Sequence, residues 1–330
     1  MAPLRRVPRW LWIAGIAALV LVAGPRTSAR APEPAAVIAG MPTAVAAIPA
    51  WVAQRERAAG IADTAVAKRI RFFDTQTPRR TAWSVVYLHG FSATRQETAP
   101  VAESVADSLR ANLFETRLNG HGLPGDSLGS ATVTAWLADA IEAMEIGRRL
   151  GDSVVVIGTS TGGTLAAWLA VQPANIGGGL QRLVLISPNF GPADQRTRWL
   201  TLPWARLILP RAIPFHEWTP ANEEQRRFWT VRYPSLALFP MQALVEHVRG
   251  LDWTQYRAPT LLFVNERDEV VDAKRTQEWM NRVAASGTAS LERVPVYPIE
   301  GEDDHVLAGR IVSPSQTAGV VQRIVQFVRP

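Results

Sequence analysis

A doubly wound, mostly parallel α/β sheet with a helical cap insertion is the fold that this 330-residue chain predicts. Three observations carry that expectation. Apolar, β-branched runs alternate with helix-length amphipathic stretches from about residue 83 onward, the pattern of parallel strands joined by crossover helices. One junction reads Gly158-Thr159-Ser160-Thr161-Gly162, between the apolar run 154–157 and the helix-forming stretch 164–171. The alternation lapses between about residues 189 and 257 and then resumes, so that stretch reads as an insertion lying over the strand ends.

Taken in order, the chain opens with Arg5, Arg6 and Arg9 ahead of an uncharged apolar run at 10–24, and Ala29-Arg30-Ala31 offers a small-x-small cleavage site. Residues 1–31 therefore read as a signal peptide or an N-terminal membrane anchor, which implies export or membrane association through this segment. The Ala- and Pro-rich stretch 32–60 reads as a linker, with a short helix near 51–59, and 61–330 as the folded domain. Residues 68–73 suit a strand followed by a polar turn at 74–80. The run 83–88 is a buried strand that ends in His89-Gly90-Phe91. Val101, Val105 and Leu109 give 97–111 a helical period. A strand over 112–118 closes in Asn119-Gly120-His121-Gly122, and 132–150 carries an apolar helical face. After the elbow come a strand at 183–186, the insertion with a helix near 235–250 and no sheet strand, and a strand at 259–264. A helix at 273–284, a strand at 291–296, the acidic loop 300–305 and a last helix at 316–328 complete the chain.

Composition narrows the chemistry. The net charge of +6 and pI of about 10.4 come largely from five arginines in residues 1–30, which hold no acid. The remaining residues are nearly balanced and show no basic stripe interleaved with aromatics, so nucleic acid is not an expected partner. There is no cysteine, which removes disulfides, thiol nucleophiles and Cys-ligated metals. The five histidines lack ligand spacing, and no metal or other cofactor is expected.

The chemistry-bearing pattern centres on Ser160. In a strand–turn–helix context, Gly158 and Gly162 permit a tight turn that exposes a strained serine at its apex. A serine hydroxyl needs an imidazole to take its proton and a carboxylate to orient the imidazole. Asp268 lies just past the strand 260–264 and His305 lies in the loop past 291–296, so all three stand at carboxyl ends of parallel strands. Ser160, Asp268, His305 is also the chain order that such a sheet uses. Asp272 is placed to cap the helix after it, Asp303 and Asp304 adjoin His305 in a solvated loop, and His121 violates the order. His89 reads as a residue that shapes its turn, and His216 and His247 as structural or exposed. With an elbow in place, the loop after the neighbouring strand lends an amide to a developing oxyanion, here that of Phe91.

The combination of His89-Gly90-Phe91, Asn119-Gly120-His121-Gly122, residues 158–162, Asp268 and His305 resembles the α/β-hydrolase fold family. More narrowly, it resembles the serine aminopeptidase-like group that includes carboxylesterases and monoacylglycerol lipases or lysophospholipases. The resemblance runs from about residue 80 to the C-terminus. It implies a Ser160 nucleophile, a His305 base, an Asp268 orienting acid, oxyanion-hole amides from Phe91 and Thr161, and a helical cap. The implied reaction is cleavage of a small-molecule or lipidic acyl ester through an acyl-enzyme. A peptidase with Glu217, Glu223 and Glu224 receiving a substrate amine is the alternative, ahead of a non-enzymatic binding protein.

Overall fold

The computed structural model describes residues 12, 15, 19, 20, 22–287 and 290–329. The apolar run at 10–24, and with it the signal peptide or anchor, falls largely outside the described residues. Among those described, no helix is long and apolar enough to cross a membrane.

The main sheet contains β1 (Arg69–Arg71), β2 (Thr81–Leu88), β3 (Asn112–Glu115), β4 (Gly151–Thr159), β5 (Leu180–Ile186), β8 (Thr260–Val264) and β9 (Leu291–Pro295). Between β5 and β8, the short β6 (Phe215–Glu217) and β7 (Arg232–Pro234) pair only with each other. The spatial order is β1-β3-β2-β4-β5-β8-β9, and β1 alone runs antiparallel to its neighbour. Because the pleat has a period of two, the uninterrupted apolar run of β4 feeds two cores. Val154 and Val156 pack with Trp136 and Met144 of the helix Val133–Leu150 and with Leu165 and Trp168 of the helix Thr161–Leu169. Val155 and Ile157 pack on the opposite face with Val101 and Val105 of the helix Val101–Leu109 and with Val320 and Ile324 of the helix Pro314–Val328. Helices therefore cover both faces, and the carboxyl ends of β2, β4, β5, β8 and β9 share one rim. This is the α/β-hydrolase fold.

Three stretches differ from the reading of the sequence. Residues 32–60 are not an extended spacer: they hold helical turns at Pro34–Val37 and Val45–Ala47 and the helix Ile48–Ala58. Met41, Ile48 and Val52 are buried in the main core, and Arg117 clamps Glu56 through two contacts of 2.8 Å. The folded body thus begins well before residue 61. Its Ala and Pro content resembles that of a spacer, while Ile48 and Val52 supply one helical turn's spacing of core contacts. Second, the helix expected from residue 97 begins at Val101, and residues 92–100 fold inward as a series of turns. Third, the insertion holds the antiparallel pair β6–β7 besides its helices, two strands of three residues each, too short to show alternation. Its last α-helix, Leu238–Arg249, buries Leu244 and Val248 in the core.

Candidate active site

β4 passes directly into the helix Thr161–Leu169 through Ser160, whose φ of 51° and ψ of −118° lie outside the comfortable regions for a residue with a side chain. Such a conformation costs about 1–3 kcal/mol and persists only when its surroundings enforce it. Here Ser160 N–H donates to Ile186 O at 3.0 Å, while Ser160 O accepts from Thr164 N at 3.1 Å and Asn189 N at 3.0 Å. The glycines allow the crowding. A Cβ on Gly162 would lie 2.0 Å from Leu88 O, and one on Gly158 would lie 2.5 Å from Gly162 O.

Asp268 and His305 come together from two different loops. His305 Nδ1 and Asp268 Oδ2 are 2.7 Å apart. The other carboxylate oxygen, Oδ1, accepts from Val270 N at 2.8 Å and Val271 N at 2.9 Å, which aims Oδ2 at the ring. With the carboxylate as its acceptor, Nδ1 carries the proton and Nε2 presents a lone pair. Asp303 Oδ1 accepts from His305 N at 2.7 Å and Val306 N at 2.8 Å, and Asn265 Nδ2 donates to Asp304 O at 2.9 Å. Asp303 and Asp304, read from the sequence as a solvated loop, therefore build the turn that carries His305. Asp272 caps the helix Ala273–Ala285 by accepting from Lys274 N at 2.9 Å, the role expected of it. Burial pulls the His305 imidazole down, but Asp268, backed by Asp303 and Glu97, outweighs that and raises its pKa above the ordinary value. Among the described residues no hydrogen bond joins Ser160 Oγ to His305 Nε2. Contacts of this kind commonly tighten only with substrate bound.

The amides of Phe91 and Thr161 flank the elbow, and among the described residues neither donates to a protein acceptor. The loop that carries Phe91 is fixed by two buried histidines. His89 Nδ1 donates to Gly90 O at 2.8 Å and its Nε2 accepts from Leu118 N at 3.0 Å. His121 Nε2 accepts from Ser92 N at 3.0 Å. Burial holds both imidazoles below the ordinary pKa, that of His121 at about 4, so both are neutral braces between the loops after β2 and β3. Phe91 meets Tyr233 of β7 edge-on, with ring centroids 5.2 Å apart, which brings the insertion over this loop.

One residue at this rim was not picked out from the sequence. Glu97 is 2 % exposed, and its Oε2 accepts from Gly90 N–H at 2.8 Å and from the Tyr87 hydroxyl at 2.9 Å. It lies in the turns before the helix Val101–Leu109, where no strand end or motif marks it.

Residues 79–296 match the serine aminopeptidase family. The chain belongs to that family. The match takes in Ser160 and Asp268 and ends before His305. Solved structures similar to this serine aminopeptidase family member include one from work on LipS and LipT, two metagenome-derived lipolytic enzymes. It has 18 % identity and a TM-score of 0.63, covering 81 % of this chain and 98 % of its own. A soluble variant of monoglyceride lipase from Saccharomyces cerevisiae matches at 12 % identity and TM-score 0.58, covering 80 % of this chain and 91 % of its own. A Paleococcus ferrophilus monoacylglycerol lipase matches at 13 % identity and TM-score 0.54, covering 79 % of this chain and 97 % of its own. At such identities the likeness is one of fold. No curated protein sequence matches this serine aminopeptidase family member.

Proposed function

We propose that this chain is a serine hydrolase that cleaves carboxylic esters through an acyl-enzyme. The observation that carries the reading is the 2.7 Å pairing of His305 Nδ1 with Asp268 Oδ2 on the same strand-end rim as the strained Ser160. Ser160 Oγ attacks the ester carbonyl as His305 Nε2 takes its proton, and Asp268 stabilises the imidazolium. The amides of Phe91 and Thr161 receive the developing oxyanion, each worth about 3 kcal/mol. The imidazolium then protonates the departing alkoxide. Water, deprotonated by His305, attacks the acyl carbonyl and releases the acid and Ser160.

Two features support an apolar, lipidic acyl ester over a peptide. The insertion exposes Trp199, Leu202, Leu207, Ile208, Ile213 and Phe215, each at least 40 % accessible. Such apolar surface suits contact with acyl chains or a lipid surface. The acids available to hold a substrate amine already face arginines: Glu217 with Arg232, Glu223 with Arg226 and Glu224 with Arg310. Export, or anchorage in a membrane by residues 1–31, belongs to the same proposal. The test is a panel of p-nitrophenyl esters of increasing acyl length beside the matching amino-acyl p-nitroanilides. The expected result is kcat/KM on the best ester at least about 100-fold above that on any anilide. Faster cleavage of an amino-acyl anilide would replace this reading with the peptidase one.

A further inference from the structure

Between the loop that carries Phe91 and the elbow lies a carboxyl group that the reaction sequence above does not use. Glu97 Oε2 accepts two hydrogen bonds, from Gly90 N–H at 2.8 Å and from the Tyr87 hydroxyl at 2.9 Å. The same Tyr87 oxygen lies 3.3 Å from Thr159 Oγ1. One carboxyl oxygen is therefore bonded to the residue before Phe91 and, through one hydroxyl, reaches the residue before Ser160. The second oxygen and the Ser160 side chain border the same space. A Cβ on Gly90 would lie 2.5 Å from Glu97 Oε1 and 3.1 Å from Ser160 Cβ, so both side chains crowd the open face of that glycine. The main chain of the same residue abuts the histidine loop, since a Cβ on Gly309 would lie 2.7 Å from Glu97 O.

A desolvated carboxyl group is expensive, and an apolar residue could fill this volume at lower cost. Its position explains what the cost secures. The oxyanion amides belong to two chain segments, 89–91 and 160–161, and a displacement of about 1 Å between such segments lowers a rate about 100-fold. We propose that Glu97 is a positioning residue: its carboxyl group locks the oxyanion loop to the nucleophile elbow, and its charge is felt by His305. The proposal rests on the Ser160, Asp268 and His305 reading given above.

The charged and titratable groups around Glu97 are Tyr87 from β2 and His305 and Asp303 from the loop after β9, with Asp268 behind His305. Burial pushes the Glu97 carboxyl group up to about 7, against Gly90 N–H, Tyr87 and His305, which hold it down, and with Asp303, which adds to the rise. It therefore ionises in the range where an imidazole acts as a base. The anionic form favours the His305 imidazolium across a poorly screened interior, and the neutral form does not.

The experiment compares the full-length wild type with Glu97→Gln, Glu97→Ala and Ser160→Ala. It measures kcat and KM on p-nitrophenyl butyrate, the pH dependence of kcat/KM from about pH 5 to 9, and thermal unfolding. Glu97→Ala is expected to lower kcat about 100-fold with KM within about threefold. In Glu97→Gln the amide oxygen can still receive both Gly90 N–H and the Tyr87 hydroxyl. Its kcat should recover to within about tenfold of the wild type, while its acid limb moves at least about half a pH unit lower. An acid limb for Glu97→Gln that superimposes on the wild type overturns the proposal, whatever Glu97→Ala does or whether it folds. Hydrolysis retained by Ser160→Ala would instead overturn the reading on which the proposal rests.

Discussion

Ser160→Ala is expected to lower kcat on p-nitrophenyl butyrate by at least about 10⁴-fold while leaving the melting temperature within a few degrees of the wild type. In the proposed reaction the loss is large because the serine oxygen forms the bond of the first step, and no other nucleophilic side chain shares its place at the apex. The fold should survive because the elbow is enforced by the backbone bonds of residue 160 to Ile186, Thr164 and Asn189, none of which uses the hydroxyl. Alanine also keeps the Cβ already accommodated at that φ of 51°. Purified variant and wild type, assayed side by side with calorimetry as the folding control, decide the matter.

Asp268→Asn should cost about 10⁴-fold in kcat, and the structure says why an almost isosteric change is so damaging. Asp268 Oδ1 is held by the amides of Val270 and Val271, so an asparagine oxygen would keep that place and turn its Nδ2 hydrogens toward His305 Nδ1. Nδ1 would then have to accept, the ring proton would move to Nε2, and the nitrogen needed as the base would be blocked. The pH profile carries a second signature. Asp268 is the leading influence opposing burial on His305, so removing its charge lets burial prevail and lowers the imidazole pKa. The acid limb of the residual kcat/KM, where protonated His305 cannot act as a base, should shift to lower pH. Unchanged activity, or an acid limb that moves up, would remove Asp268 from the role given to it.

The sheet was legible because strands buried on both faces leave continuous apolar runs, as at 154–157 and 260–264, and because helices of ordinary length separate them. The elbow was legible for a related reason: the approach of Gly162 to Leu88 O excludes any side chain, so the glycines are written into the sequence. Chain order and strand ends favour Asp268 over Asp272, and the structure sets Asp268 beside His305 while Asp272 caps a helix. Other features depend on contacts far apart in the chain. The Glu97 carboxyl group finds its partners in Gly90 and Tyr87, on a different element, and no motif around residue 97 announces them. The docking of residues 34–58 likewise depends on Arg117 and the main core, which composition alone does not reveal.

The most direct measurement is the site of covalent capture. Full-length wild-type protein is treated with a fluorophosphonate probe at neutral pH, digested and mapped by tandem mass spectrometry. The expected outcome is one adduct per chain, on Ser160, formed in step with the loss of ester hydrolysis and absent from Ser160→Ala. An adduct on a different residue, or complete inhibition with Ser160 unmodified, would contradict the assignment of Ser160 as the nucleophile.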